Sequence, residues 1–299
     1  MVSMRVELLG FDSMGTRGMA VFLEVNGTSI FIDPGANLAP RRYGLPPHRL
    51  ELEMLDRTLG RIYELMGEAE HVVISHYHRD HFLYRRGEED FYTGKSVYAK
   101  NYSRDINFSQ RSRAYNLFVT RGVSKRVRQL EFADNRSFKI DEDLSIEFSP
   151  PMPHGPEGTR LGFILYTVVK TSEVTLVHAS DAQGPISTRG VDFIKNVRPN
   201  ILIISGPPTY LSQSKVEQNI VDEGIKNLVE VAKSMPDNST IIVDHHLLRD
   251  LDYKQVLRVI EEAVSSSGRR IRVLTAAEYM NQPVNQLEAR RRELWESQL

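Results

Sequence analysis

The sequence predicts an α/β fold whose strands deliver metal-binding side chains to one place, and three observations carry that expectation. Short apolar runs of strand length alternate with longer stretches of helical periodicity. The run His71-Val72-Val73-Ile74-Ser75 opens directly into His76-Tyr77-His78-Arg79-Asp80-His81, which sets four potential ligands within six residues. Finally, Asp33, His76, His78, His154, Asp181 and His245 each follow a short apolar run. Ligands at the same end of several strands can converge on one point, as sites in open sheets do.

Along the chain, Met4 to Leu9, Ala20 to Val25 and Thr28 to Ile32 read as strands. Asn26-Gly27 joins the last two and favours a tight hairpin turn. Asp33-Pro34-Gly35 stops the third ladder and leaves Asp33 at its end. Arg49 to Glu68 reads as an amphipathic helix with Leu50, Leu52, Leu55, Leu59, Ile62 and Leu65 at helical spacing. His71 to Ser75 is too short and apolar for such a helix and reads as a buried strand. His76 and His78, two apart, leave an extended segment on the same side. Leu144 to Phe148 is a strand running toward Pro153-His154-Gly155. Phe163 to Val169 and Glu173 to Ala179 form a hairpin ending in Ser180-Asp181. Asn200 to Ser205, Thr240 to Val243 and Ile271 to Leu274 are strands, whereas Val216 to Lys233 and Tyr253 to Ser265 are helices. A charged terminal helix is expected at about 283–298.

From Arg85 to Arg128 there are eleven Lys/Arg against four Asp/Glu, interleaved with seven aromatic rings from Phe91 to Phe118. Such a mixture can bind phosphate or nucleic acid, although it is more often a solvated surface over a few buried rings. No linker composition flanks it. One domain over residues 1–299 is therefore expected, with a basic, aromatic insertion at about 82–134.

Composition removes several classes of function. At 299 residues, with 40% hydrophobic and 26% charged side chains, the chain has the make-up of a soluble globular protein. A net charge of −1 supplies no global field toward nucleic acid or membrane. The lack of cysteine excludes disulfides, thiolate zinc sites, iron–sulfur clusters and a cysteine nucleophile together, leaving histidine and carboxylate as the strong metal ligands. The start, MVSMRVELLG, lacks the apolar core of a signal peptide, and no run reaches membrane-spanning length. A cytoplasmic protein with no membrane partner is expected.

The motif from Ser75 to His81, followed in order by His154, Asp181 and the pair His245-His246, resembles the metallo-β-lactamase superfamily. Within it, the chain looks most like an uncharacterised archaeal family described as predicted metal-dependent hydrolases. The resemblance spans nearly the whole chain. It implies a four-layer αββα sandwich of two mixed sheets flanked by helices, with the site along one edge. It also implies that His76, His78 and His154 hold one metal, that Asp80, His81 and a last histidine hold a second, and that Asp181 bridges them. Of the two terminal histidines we expect His245, after the short polar Asp244, to ligate. On an extended strand His246 points to the other face, and is then a supporting or substrate-facing residue. Asp33 is expected to accept a hydrogen bond from a ligating imidazole and fix its tautomer. His48, His71 and His178 are read as structural.

Imidazole and carboxylate suit Zn²⁺ first, with Mn²⁺ and Fe²⁺ as alternatives. Two ions about 3.5–4 Å apart share a water and lower its pKa to near 7, with Asp80 and Asp181 in catalytic contact with it. The expected activity is hydrolysis of an ester-like anion such as a phosphoester, on a small molecule or a nucleic acid. Arg79, Arg41 and Arg42 are the main anion contacts, and Arg104, Arg111 and Arg113 further candidates. Lactones, lactams and thioesters use the same centre. Two other classes are an iron redox protein, whose flavodiiron relatives carry glutamate where this chain has His78, and a binding protein without catalysis. The oligomeric state is not legible.

Overall fold

A computed structural model describes residues 3–211 and 217–297. Its strands form two large sheets. The first runs in chain order: β1 (Met4–Leu9), β2 (Ala20–Val25), β3 (Thr28–Ile32), β4 (His71–Ile74), β5 (Ser96–Ala99) and β6 (Gln129–Phe132). The Asn26-Gly27 turn forms as expected, with φ of 52° and 87°. β1 to β3 are antiparallel and β3 to β6 parallel. The second half supplies β7 (Ser137–Lys139), β8 (Ser145–Phe148), the two-residue β9 (Met152–Pro153) and β10 (Phe163–Ile164), β11 (Thr167–Lys170), β12 (Thr175–His178), β13 (Ile201–Ser205), β14 (Thr240–Asp244) and β15 (Arg272–Leu274). The second sheet orders these β15-β14-β13-β12-β11-β8-β7, and β9 pairs only with β10.

The period-two alternation of the strands sorts their side chains between layers. Val73, Ile203 and Ile242 meet in a core between the sheets. Val72 and Ile74 turn the other way, under Leu59, Ile62 and Leu65 of α1 (Arg49–Glu68) and beside Ala114 of α2 (Phe108–Tyr115). Leu202, Ile204, Ile241 and Val243 face α3 (Thr188–Val197), α4 (Gln218–Ser234) and α5 (Lys254–Ser266). The result is helix, sheet, sheet, helix: the expected sandwich. No helix among the described residues is long and apolar enough to cross a membrane.

Four expectations change in detail. Leu50 and Leu52 are 39% and 49% exposed, because α1 buries Leu59, Ile62, Leu65 and Met66 instead. The stretch 82–134 is woven into the fold, since it contributes β5 and β6 to the first sheet. The hairpin from Phe163 is split: Leu165 N–H donates to Ser75 O (3.0 Å) and Tyr166 N–H to Ser149 Oγ (2.9 Å), so β10 leaves the sheet and pairs with β9. The terminal helix shortens to α7 (Arg291–Glu296), preceded by turns, while Val216, the expected start of α4, lies outside the described residues. Between α5 and α7, α6 (Ala276–Tyr279) is a single turn.

Candidate metal centre

β1, β3 and β4 run one way in the first sheet, and β8, β12, β13 and β14 one way in the second. Their carboxyl ends meet along one edge of the sandwich. There the chain leaves the ladder, so side chains are free to converge. Asp33 follows β3, His76 follows β4, His154 follows β9, Asp181 lies just past β12, and His245 follows β14. The backbone turns sharply to allow it: Asp33, Ser180 and His245 take φ of 48°, 47° and 54°, a region that short polar residues visit with least strain. Gly35 serves the same purpose by proximity. A Cβ there would stand 2.4 Å from Phe82 N, so only glycine lets this loop lie against the metal motif.

Asp181 is at the centre. Its Oδ2 lies 2.8 Å from His154 Nε2, 3.6 Å from His76 Nε2, 3.9 Å from His78 Nδ1 and 3.6 Å from His246 Nε2. Its Oδ1 lies 3.3 Å from His81 Nε2 and 3.2 Å from His245 Nε2. Asp80 Oδ2 approaches His245 Nε2 at 3.7 Å. Four overlapping groups bring ligand atoms within 4.8 Å of one another: His76/His78/His154/Asp181, Asp33/His76/His81, Asp80/His81/His245 and Asp181/His245/His246.

Groups behind the imidazoles fix their orientation. Asp33 Oδ2 lies 2.9 Å from His81 Nδ1 and accepts from Ser75 Oγ (2.6 Å), while Oδ1 accepts from Ser75 N–H (2.7 Å). His76 Nδ1 meets Ser75 Oγ at 2.9 Å, and His154 Nδ1 meets Gln183 Nε2 at 3.2 Å. His245 Nδ1 meets Asp12 Oδ2 at 2.7 Å. Asp12 and Gln183 were missed in the sequence, although Asp12 stands three residues past a strand and Gln183 two past Asp181.

The pair at the end of β14 departs from expectation. His245 is left-handed, so the strand does not continue and the alternation argument fails. Both rings turn toward Asp181, and His246 stands as a candidate ligand in its own right. Arg249 Nη2 lies 3.1 Å from His245 Nε2. The arginines also sort differently. Arg79 lines the mouth together with Arg17, Arg113 and Arg249. Arg41 is exposed and, among the described residues, donates to Gly44 O away from the mouth. Arg42 donates to Arg249 O (2.9 Å) and stacks on Tyr43 and Tyr210, which makes it a brace for the Arg249 turn. Arg104 and Arg111 are not among the residues lining the mouth. His48 caps α1, His71 stacks on Tyr98 and His178 meets Met19 O; none belongs to a ligand set.

The donors suit a divalent cation. His76 Nε2, His81 Nε2, His246 Nε2 and Asp181 Oδ1 are buried without a hydrogen-bond partner, which is costly unless something else occupies their lone pairs. Burial and the neighbouring His81 hold His76 well below the usual histidine range, so its ring is neutral and able to ligate. Burial opposes ionisation of Asp80 and Asp181, but positive charge on His81 and His245 outweighs it and holds both carboxyls low. Carboxylates buried here are favoured by positive charge beside them, and a bound metal ion would supply it.

The architecture and its edge of histidines and aspartates define a metallo-β-lactamase-fold protein with a potential metal-binding cluster. YhfI, a metallo-β-lactamase fold protein of Bacillus subtilis, is similar over 92% of this chain and 98% of its own, with a TM-score of 0.52 at 13% identity. Unliganded yeast PDE1 is similar over 92% and 99% (TM-score 0.52, 12% identity). CmlA, a diiron β-hydroxylase of Streptomyces venezuelae, is similar over 91% of this chain and 52% of its own (TM-score 0.53, 13% identity). The chain belongs to the UPF0282 family. It is 42% identical over 298 residues to the UPF0282 protein of Aeropyrum pernix, covering 99% of each, and 38% identical to that of Sulfolobus acidocaldarius, covering 96% of this chain and 91% of the other. No family model matches.

Proposed function

We propose that this protein is a metal-dependent hydrolase acting on an ester-like anion, a phosphoester before a lactone or thioester. His76, His78 and His154 would hold one ion, Asp80, His81 and His245 a second, Asp181 would touch both, and His246 stands ready as a further ligand. Ions held there would supply Lewis acidity, lowering the pKa of a bound water toward 7 and offsetting negative charge on the substrate. Zn²⁺ suits this nitrogen and oxygen donor set best, with Mn²⁺ or Fe²⁺ as alternatives.

The chain's own residues do the rest. Asp33 and Asp12 hold the His81 and His245 rings in one tautomer. Asp80, beside His245 and less deeply enclosed than Asp181, is placed to accept a proton from an attacking water. Arg17, Arg79, Arg113 and Arg249 surround a mouth of about 260 Å³ and attract a negatively charged substrate. The observation that carries the reading is three buried, unpartnered imidazole nitrogens gathered around Asp181, whose own Oδ1 is also unpartnered, beside those arginines. Cytoplasmic location remains part of the proposal.

The test is a hydrolysis panel on metal-reconstituted protein, covering phosphodiesters, phosphomonoesters, lactones and thioesters, with elemental analysis of bound metal. His76→Ala should lose metal loading and turnover together. Turnover that survives in His76→Ala would overturn the mechanism. Tightly bound iron with an oxygen-sensitive visible spectrum and no hydrolysis would instead favour redox chemistry.

A further inference from the structure

A second cavity, of about 350 Å³, opens on the other side of Arg79 and Arg113, which wall both it and the mouth of the metal centre. That volume falls within the range of small-molecule sites, about 300–1,000 Å³. Its floor is apolar and aromatic, from Phe82, Tyr84 and Leu117, and Arg121 closes its far side. Three arginines and no carboxylate line it among the described residues.

Arg79 stacks over Tyr84, with its guanidinium 5.3 Å from the ring centroid, and pairs with no carboxylate among the described residues. Arg113 is anchored by one donation, from Nη1 to Tyr77 O at 3.0 Å, and likewise has no carboxylate partner among them. Burial and repulsion from Arg79 pull the Arg113 pKa down. Asp80 offsets part of this repulsion, but two guanidiniums with no carboxylate in contact among the described residues still favour an anion between them. Arg121, by contrast, is held by Asn116 Oδ1 (3.0 Å) and Glu89 Oε2 (3.3 Å), so its position is set in advance. The wall that carries Asn116, Leu117 and Arg121 includes a π-helical turn, Asn116–Thr120, a distortion that recurs at functional sites.

We propose that this cavity binds a second anionic group of the substrate, a phosphate or carboxylate remote from the reacting bond. The proposal rests on the hydrolase reading for the identity of its ligand as substrate. The class of molecule is therefore a small organic phosphoester carrying at least two separated negative charges.

Binding is measured without turnover, by titrating the metal-free full chain with pyrophosphate at fixed ionic strength. Wild type should bind, and Arg113→Met should bind at least tenfold more weakly. Ser112→Trp, at an exposed position on the cavity rim, should do the same by filling the space while leaving the arginines in place. Thermal melts of both variants matching wild type exclude misfolding. On the metal-loaded chain, paired phosphoesters with and without a distant carboxylate should differ at least tenfold in kcat/KM, and Arg121→Gln should reduce that ratio. Pyrophosphate that binds both variants as it binds wild type, or fails to bind wild type, overturns the subsite. If no ester is turned over but the pyrophosphate result holds, the hydrolase reading falls and the anion site stands.

Discussion

Asp12 stands to His245 as Asp33 stands to His81: a buried carboxylate lies against ring Nδ1, which leaves Nε2 on the side of Asp181. It also accepts from Arg249 Nε at 3.0 Å, which ties the His245-His246 turn to the start of the chain. Asparagine keeps the shape but removes the charge. Asp12→Asn should weaken metal affinity about 10–100-fold, the usual effect of losing such a support. Competition against a chromophoric chelator measures it, and an unchanged affinity would reduce Asp12 to a partner of Arg249 alone. At this scale the candidate ligands were legible, because metal chemistry restricts the residue types and His-x-His-x-Asp-His is an unusual spacing. Asp12, Gln183, Arg17 and Arg249 were not, since a lone aspartate or arginine in a loop carries no signal until its neighbours in space are known.

Among the elements, α1 and the C-terminal turns depend on each other. Arg291 is buried and grips Glu51 with two hydrogen bonds, Nε to Oε2 at 2.8 Å and Nη2 to Oε1 at 2.7 Å. Glu51 also receives the His48 N–H (2.8 Å) that caps α1, so one carboxylate holds both ends of the contact. Arg291→Met leaves that carboxylate buried and largely unpaired. The expected loss is about 3–5 kcal/mol in urea unfolding. Adding Glu51→Gln should restore part of it, whereas no recovery would locate the loss in packing of the long side chain. Charge composition along Gln286 to Ser297 suggested a solvated helix. It concealed this pair because the two residues lie 240 positions apart. The boundaries of β1, β2, β3 and α1 were legible, since a hairpin turn and helical periodicity are written in neighbouring residues. β5 and β6 were not: their partners are distant, and their apolar runs are too short to stand out among basic residues.

Over the whole molecule, the carboxylates predict how stability responds to acid. Hydrogen bonds and charge from Arg61 hold Glu7 low. Burial raises Asp12 and Glu288, but Arg249 and His245 for the first, and Arg17 for the second, reverse the direction. Burial likewise opposes Asp33, and His81 outweighs it. A carboxylate whose folded pKa lies below its unfolded value of about 4 stabilises fully above that value, and loses the contribution as pH falls through the folded one. The melting temperature should therefore fall steeply below about pH 4. Arg61→Met, which frees Glu7 far from the metal centre, should make that fall shallower. A melting temperature that stays level from pH 5 to 3 would contradict the assignment of these ion pairs; the window is set by the carboxylate range of about 4.

By itself, the sequence determined the chemistry that is available here. It holds no thiol, its histidines and aspartates stand after apolar runs, and its patterning allows sheets buried on both faces. Such features are local, and local physics can be read from neighbouring residues. Only the tertiary structure decided that the ends of β3, β4, β12 and β14, together with that of β9, share one rim, that Asp181 reaches two candidate ligand groups, and that His245 bends to bring His246 inward. It alone separated Arg79 and Arg113, which face the centre, from Arg41 and Arg42, which do not. Those outcomes depend on which distant surfaces pack together, and that is settled by the core between the sheets rather than by any single stretch of chain.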